Sequence, residues 1–252
     1  MNRIAGKESG YHAMPHRSMR RRTGGALIAM LSIGCIVLLT SEASARCSAR
    51  AALQNRLTPK TAPSNAPPAP VTSAFAVPVW RTITVGTFAN SFALLSALDA
   101  AGCGIGSLAE EILARPAFNV GTTKANVELF AVSAAELGFQ TGTVRLAEVY
   151  ARARQLGFGL AAAEVGPQLR LQYFDQPMGE FLIAMEPIRT WKGDPVILAV
   201  ANGGAGLVLI GQDGSADAEI PLASHFLFVR SNEAALARAV RGGDEAATLG
   251  RR

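Results

Sequence analysis

Residues 164–180, "EVGPQLRLQYFDQPMGE", form the densest polar run in an otherwise apolar chain. From Gln168 onward apolar and polar residues alternate with period two, as they do in a half-buried strand. Taking Asp175–Gly179 as a loop, proline presets one φ and glycine absorbs a positive one. Antiparallel pairing then sets Phe174 opposite Glu180 and Leu169 opposite Met185. One face collects Leu169, Leu171, Tyr173, Phe181, Ile183 and Met185. The other collects Gln168, Arg170, Gln172, Phe174, Glu180, Leu182, Ala184 and Glu186. A slip of one residue would mix the two faces. The sequence therefore predicts a hairpin over 168–186, with Arg170 diagonal to Glu186 and within reach of it.

Outward from this stretch, "WRTITVG" alternates and is β-branched, which predicts a strand over 80–86. "NSFALLSALDAAG" predicts a helix capped by Asn90 or Ser91, with Leu94, Leu95 and Leu98 inside and Gly102 as its left-handed stop. "SLAEEILARP" opens on a Ser107–Glu110 capping box and ends at Arg115-Pro116. "NVELFAV" predicts a strand over 126–132, followed by a single capped turn from Ser133 to Glu136 with Gly138. "TVRLAEVYARARQLG" places Leu146, Tyr150 and Ala153 on one helical face. A second hairpin follows, "VILAV" and "GLVLI" about Asn202–Ala205, and "HFLFVR" (225–230) supplies a last strand. Helices first and antiparallel strands after predict one α+β domain over 79–231. It would hold an N-terminal strand and three helices packed on the apolar face of a mainly antiparallel meander sheet of five or six strands.

The ends of the chain have a different composition. Residues 1–45 carry a cationic stretch ending at Arg22, an apolar run from about Ala26 to Leu39, and the small-residue site Ala43-Ser44-Ala45. This is the pattern of a secretory signal. The apolar run falls short of the ~20 residues that span a bilayer, so retention as an inner-membrane anchor through 26–40 is the runner-up. Export implies a periplasmic or secreted protein that meets the membrane only transiently, through its signal segment. Residues 46–78 read as a Pro/Ala-rich spacer that favours extended backbone. Residues 232–252 read as a short helix and a flexible tail. Once the leader is removed, Cys47 and Cys103 remain. An oxidising compartment would preserve a disulfide between them. The preferred reading is that Cys103 is a small buried residue after a helix, since nothing in the sequence brings Cys47 near it.

Of the formal net charge of +5 the leader carries +4, whereas the stretch 79–231 has ten Lys/Arg against fourteen Asp/Glu, a net of −4. Without a basic stripe it lacks the clustered cations that phosphate backbones require, which argues against a nucleic-acid partner. His225 is the only histidine after the leader, so two-histidine metal sites are excluded and no metal or cofactor is expected. No Gly-x-Ser-x-Gly elbow occurs. The glycines of "GCGIGS" (102–107) follow a helix and lack Gly-Lys-Ser/Thr, so they end one helix and begin the next. The polar face of the 168–186 hairpin is left as the candidate contact surface: Arg170, Gln172, Phe174, Asp175, Glu180 and Glu186. Its exposed apolar pair, Phe174 and Leu182, is of the kind that marks binding surfaces. The expected function is an exported, tethered binding or interaction module whose ligand is an unknown protein or small molecule. A hydrolase drawing acid and base groups from Glu164, Asp175, Glu180 and Glu186, oriented by Arg170, is the alternative, and the catalytic residues are otherwise unknown. A purely structural envelope protein is a third.

The blocks "RPAFNV", "VSAAELGF", "AEVGPQLRLQYFDQPMGE", "AMEPI" and "FLFVR" resemble a family of small uncharacterised bacterial proteins. The resemblance covers about 80–230 and rests mainly on the "VGPQLRLQY–DQP–GE" block. It implies a single domain beginning near Val79. It carries no activity, ligand or residue role.

Overall fold

The computed structural model describes Cys47 and residues 69–140, 142–203 and 206–231, all within the compact unit Glu42–Arg252. The leader, most of the spacer, the turn residues Gly204 and Ala205 and everything from residue 232 lie outside the described residues.

The core is a nine-stranded mixed sheet that curls into a half-barrel. Strand β1 (Arg81–Val85) pairs antiparallel with β3 (Ala125–Ser133). Then come β11 (His225–Arg230), β6 (Gly179–Ile183), β8 (Pro195–Asn202), β9 (Leu207–Asp213) and β2 (Gly104–Ile105). Two short strands complete it, β5 (Phe158–Gly159) beside β11 and β7 (Ile188–Arg189) beside β8. The pairs β11–β6 and β2–β9 are parallel. This overturns the expected meander of five or six antiparallel strands. The expected last strand, β11, sits mid-sheet because the chain crosses over to insert it between β3 and β6.

Both faces of the sheet are covered, where packing on a single face was expected. Helices α1 (Ser91–Ala100), α2 (Ser107–Leu113) and α4 (Val165–Arg170) form one layer. Gly166 of α4 lies against Leu198 and Ile183, and α2 lies against Gly211, whose register partner is Leu198. Helix α3 (Leu146–Gln155) covers the opposite face. There Tyr150 stacks edge-on against Phe226 and donates to the Met185 carbonyl at 3.2 Å. A separate ribbon of β4 (Thr143–Arg145) and β10 (Glu219–Pro221) lies ahead of α3, whose first amide, on Leu146, donates to the Ala218 carbonyl.

The opening stretch folds against its pattern. Residues 165–170 are a helical turn and a half, buried on every side. A helix covered all round shows no polar stripe of period 3.6, so its sequence carries no helical signature. Pro167 falls in the first turn, where a missing N–H costs nothing. At Gly166 a Cβ would sit 3.0 Å from a Leu198 methyl, so the absent side chain lets the helix settle onto the sheet. The hairpin pairing of 168–174 with 180–186 does not form. Strand β6 pairs instead with β8 and β11 (Phe181 with Val200 and with His225).

Elsewhere local signals hold. Asn90 caps α1 by accepting from the Ala93 amide at 2.9 Å, and Gly102 adopts φ +67°. Ser133 and Glu136 bond reciprocally. The Ser107–Glu110 capping box is absent, because Gly106 is held extended by donating to the Leu209 carbonyl and so becomes the N-cap itself. Packing also reaches upstream of Val79. Ala74 is fully buried and its amide bonds the Leu156 carbonyl, while Cys47 is buried and disulfide-linked to Cys103.

Candidate functional site

The six residues expected on one polar face are dispersed. Arg170 has no exposed surface; its guanidinium donates to the Gln176 side-chain carbonyl and to the Tyr173 main chain, and its Nε has no partner. No carboxylate is bonded to it among the described residues. Burial, the largest influence, lowers its pKa to about 10. Gln172 accepts from the Thr84 amide at 2.9 Å and donates to the Thr84 carbonyl at 2.8 Å, as a strand neighbour would. Phe174 is half-buried against the core. Asp175 is exposed and pairs with Arg81 at 3.2 Å, while Arg81 also stacks on the Tyr173 ring. Glu186 pairs with Arg154 at 3.1 Å, so the Arg170–Glu186 pair is replaced at both ends. Glu180 is exposed and accepts from Gln212 at 2.8 Å.

The same dispersal separates the carboxylates offered to a hydrolase. Glu164 is buried and accepts from the amides of Gly86 at 3.1 Å and Gly121 at 2.9 Å, tying two loops to α4. Gln168 accepts from the Thr87 hydroxyl, and Gln176 donates to the Gly179 and Val200 carbonyls. Glu164, Arg170, Gln172 and Gln176 thus hold main-chain groups that burial would otherwise orphan, while Gln168 Nε2 and Arg170 Nε are buried without a partner among the described residues.

Two of the six line cavities: Gln172 a small one of about 260 Å³ beside Thr84 and Lys124, and Glu180 a groove with an acidic rim. On the α3 face of the sheet, Leu182 and Ile197 form a floor, and β10 with the preceding loop forms a wall through Ala218, Ile220 and Pro221. Its volume is about 340 Å³, within the usual range of small-molecule clefts. The rim carries Glu180, Asp213 and Glu219, with Gln212, Ser224 and His225, and no Lys or Arg. Asp213 accepts from the Ser215 hydroxyl and amide, and those bonds lower its pKa. Glu219 accepts from Thr143 of the paired ribbon strand at 3.3 Å. Glu219 escapes a reading by periodicity because a strand pairing distant in sequence, β10 with β4, builds the wall, while Asp213 and His225 reach the groove from the ends of β9 and β11. The acids of 213–219, Asp213, Asp217 and Glu219, were the available signal.

Among the described residues no three His, Cys, Asp or Glu side chains converge as a metal-binding group, and no helix is long and apolar enough to cross a membrane. No protein-family model, curated protein or solved structure matches the chain, so the geometry alone carries the functional argument.

Proposed function

We propose that this chain is an exported binding module whose ligand presents a cation on an aliphatic stem to the acid-rimmed groove. The observation that carries the reading is the lining: three carboxylates above an apolar floor, with no Lys or Arg among the described residues that line it. A primary ammonium or guanidinium entering there forms charge-assisted hydrogen bonds while its methylenes cover Leu182 and Ile197. The Cys47–Cys103 disulfide supports export, because such bonds persist in oxidising compartments. The hydrolase reading loses its footing, since its four carboxylates occupy four separate settings.

The test is titration of the isotope-labelled protein with agmatine, cadaverine and tri-lysine at low salt. We expect resonances of β6, β9 and β10 to shift, affinity to fall with added salt, and Glu180→Gln with Glu219→Gln to weaken binding by about tenfold or more, as loss of one charged hydrogen bond requires. Shifts spread away from the groove, or unchanged affinity in the double variant, would sink the proposal.

A further inference from the structure

The ladder between β3 and β11 runs from Ser133↔His225 to Phe130↔Phe228 and stops there, although both strands continue. In the same register Arg230 faces Glu128, yet only their side chains meet, at 3.7 Å. Beyond Phe228 strand β11 is paired with β5 instead, and β3 over Ala125–Leu129 is paired with β1 alone. The sheet therefore forks. A groove of about 660 Å³ occupies the fork, lined from β3 by Asn126 and Glu128, from β11 by Val229 and Arg230, and from below by Val165 of α4.

The main chain along this fork is aimed into it. Thr84 gives both its amide and its carbonyl to Gln172, on the side of β1 away from β3. Its partner Asn126 is thus a non-hydrogen-bonded position of the β1–β3 ladder, and so, two residues on, is Glu128. Their N–H and C=O groups point to the opposite edge of β3, where the fork has no strand among the described residues. Only an extended backbone matches two donors and two acceptors at strand spacing.

We propose that the fork is a strand-addition site for an extended segment of a partner protein. Alternation sets the partner's chemistry. Residues on one side of the inserted strand meet Arg230, Glu128 and Thr82; those on the other meet Val85 and Val165. The segment is therefore one alternating polar or charged residues with β-branched apolar ones. A second copy of this chain is a poor occupant. Of the two sheet margins, β1 has Thr84 closed by Gln172, and β2 is two residues long.

The probe is a capped, fluorescently labelled heptapeptide alternating valine with threonine and lysine, titrated into the full exported chain by anisotropy and by amide hydrogen exchange. Binding is expected to slow exchange at the Asn126 and Glu128 amides. N-methylation of every peptide residue should weaken binding by at least about tenfold, the effect of losing a net hydrogen bond or more. Ala162→Trp, which fills the groove from an exposed position, should abolish binding without lowering thermal stability. Equal affinity for the N-methylated peptide, absence of binding by the parent peptide, or protection of those amides that grows with protein concentration and dimer content would each overturn the proposal.

Discussion

Two polar regions of this molecule, similar in composition, have opposite fates. Between 164 and 176, Glu164, Gln168, Arg170 and Gln176 are all buried, and each spends its hydrogen-bonding groups on nearby loops and strand ends. Around the groove, Glu180, Asp213 and Glu219 are exposed and bonded to one or two polar neighbours. The first region is internal scaffolding that sets where β1 and the loops before β3 lie. The second leaves carboxylate oxygens facing solvent, open to a ligand of the kind proposed above. Density of polar residues in a sequence thus says little about function until the direction they face is known.

Substitutions separate the regions by size of effect. Arg170→Ala should cost the most, about 3–5 kcal/mol in urea unfolding, by opening a large cavity and orphaning the Gln176 and Tyr173 carbonyls. A loss under about 1 kcal/mol would make that region as tolerant as the groove and end the contrast. Gln172→Ala should cost about 1–2 kcal/mol, because two main-chain groups of Thr84 lose their only strand-like partner. Hydrogen exchange at the Thr84 amide should rise with it.

Tyr150 sharpens the contrast through pH. Burial, ahead of any nearby charge, raises its pKa above 10.0. A raised pKa means that the folded state holds a proton the unfolded state gives up, so this contribution is complete below about pH 10 and is lost as pH climbs above it. Denaturation midpoints followed from pH 9 to 11 should fall more steeply in the native protein than in Tyr150→Phe. Parallel slopes would mean that burial does not raise the pKa of this hydroxyl. The smallest effect is expected at the groove. Glu180→Gln should change stability by no more than about 0.5 kcal/mol while weakening cation binding.

Elements with one wet face and ordinary caps were legible. Helix α1 shows its leucine stripe between Asn90 and Gly102, and α3 alternates buried Val149, Tyr150 and Ala153 with exposed Arg152 and Arg154. The β8–β9 hairpin forms between the expected segments, with its ladder running into the expected turn, Asn202 opposite Leu207. Helix α4 was illegible because burial on all sides erased its period, and "QLRLQY" happens to alternate like a strand. Strand order was illegible too, since the placement of β11 between β3 and β6 depends on crossovers that leave no local pattern. Of the candidate site only Glu180 was placed in this groove; Asp213 and His225 come from the ends of β9 and β11, and Glu219 from β10, whose partner β4 lies some seventy residues earlier.

The disulfide has a mechanical consequence. Cys47 is bonded to Cys103, 56 residues on, and its carbonyl also receives the amide of Leu207. Tension on the chain ahead of Cys47 therefore enters the fold at Cys103, beside β2 and the start of β9, and bypasses the intervening residues. That load-bearing point lies at the sheet margin opposite β1. A pull applied ahead of Cys47 would be taken up there, while β1 and the fork beside it remain off the line of force.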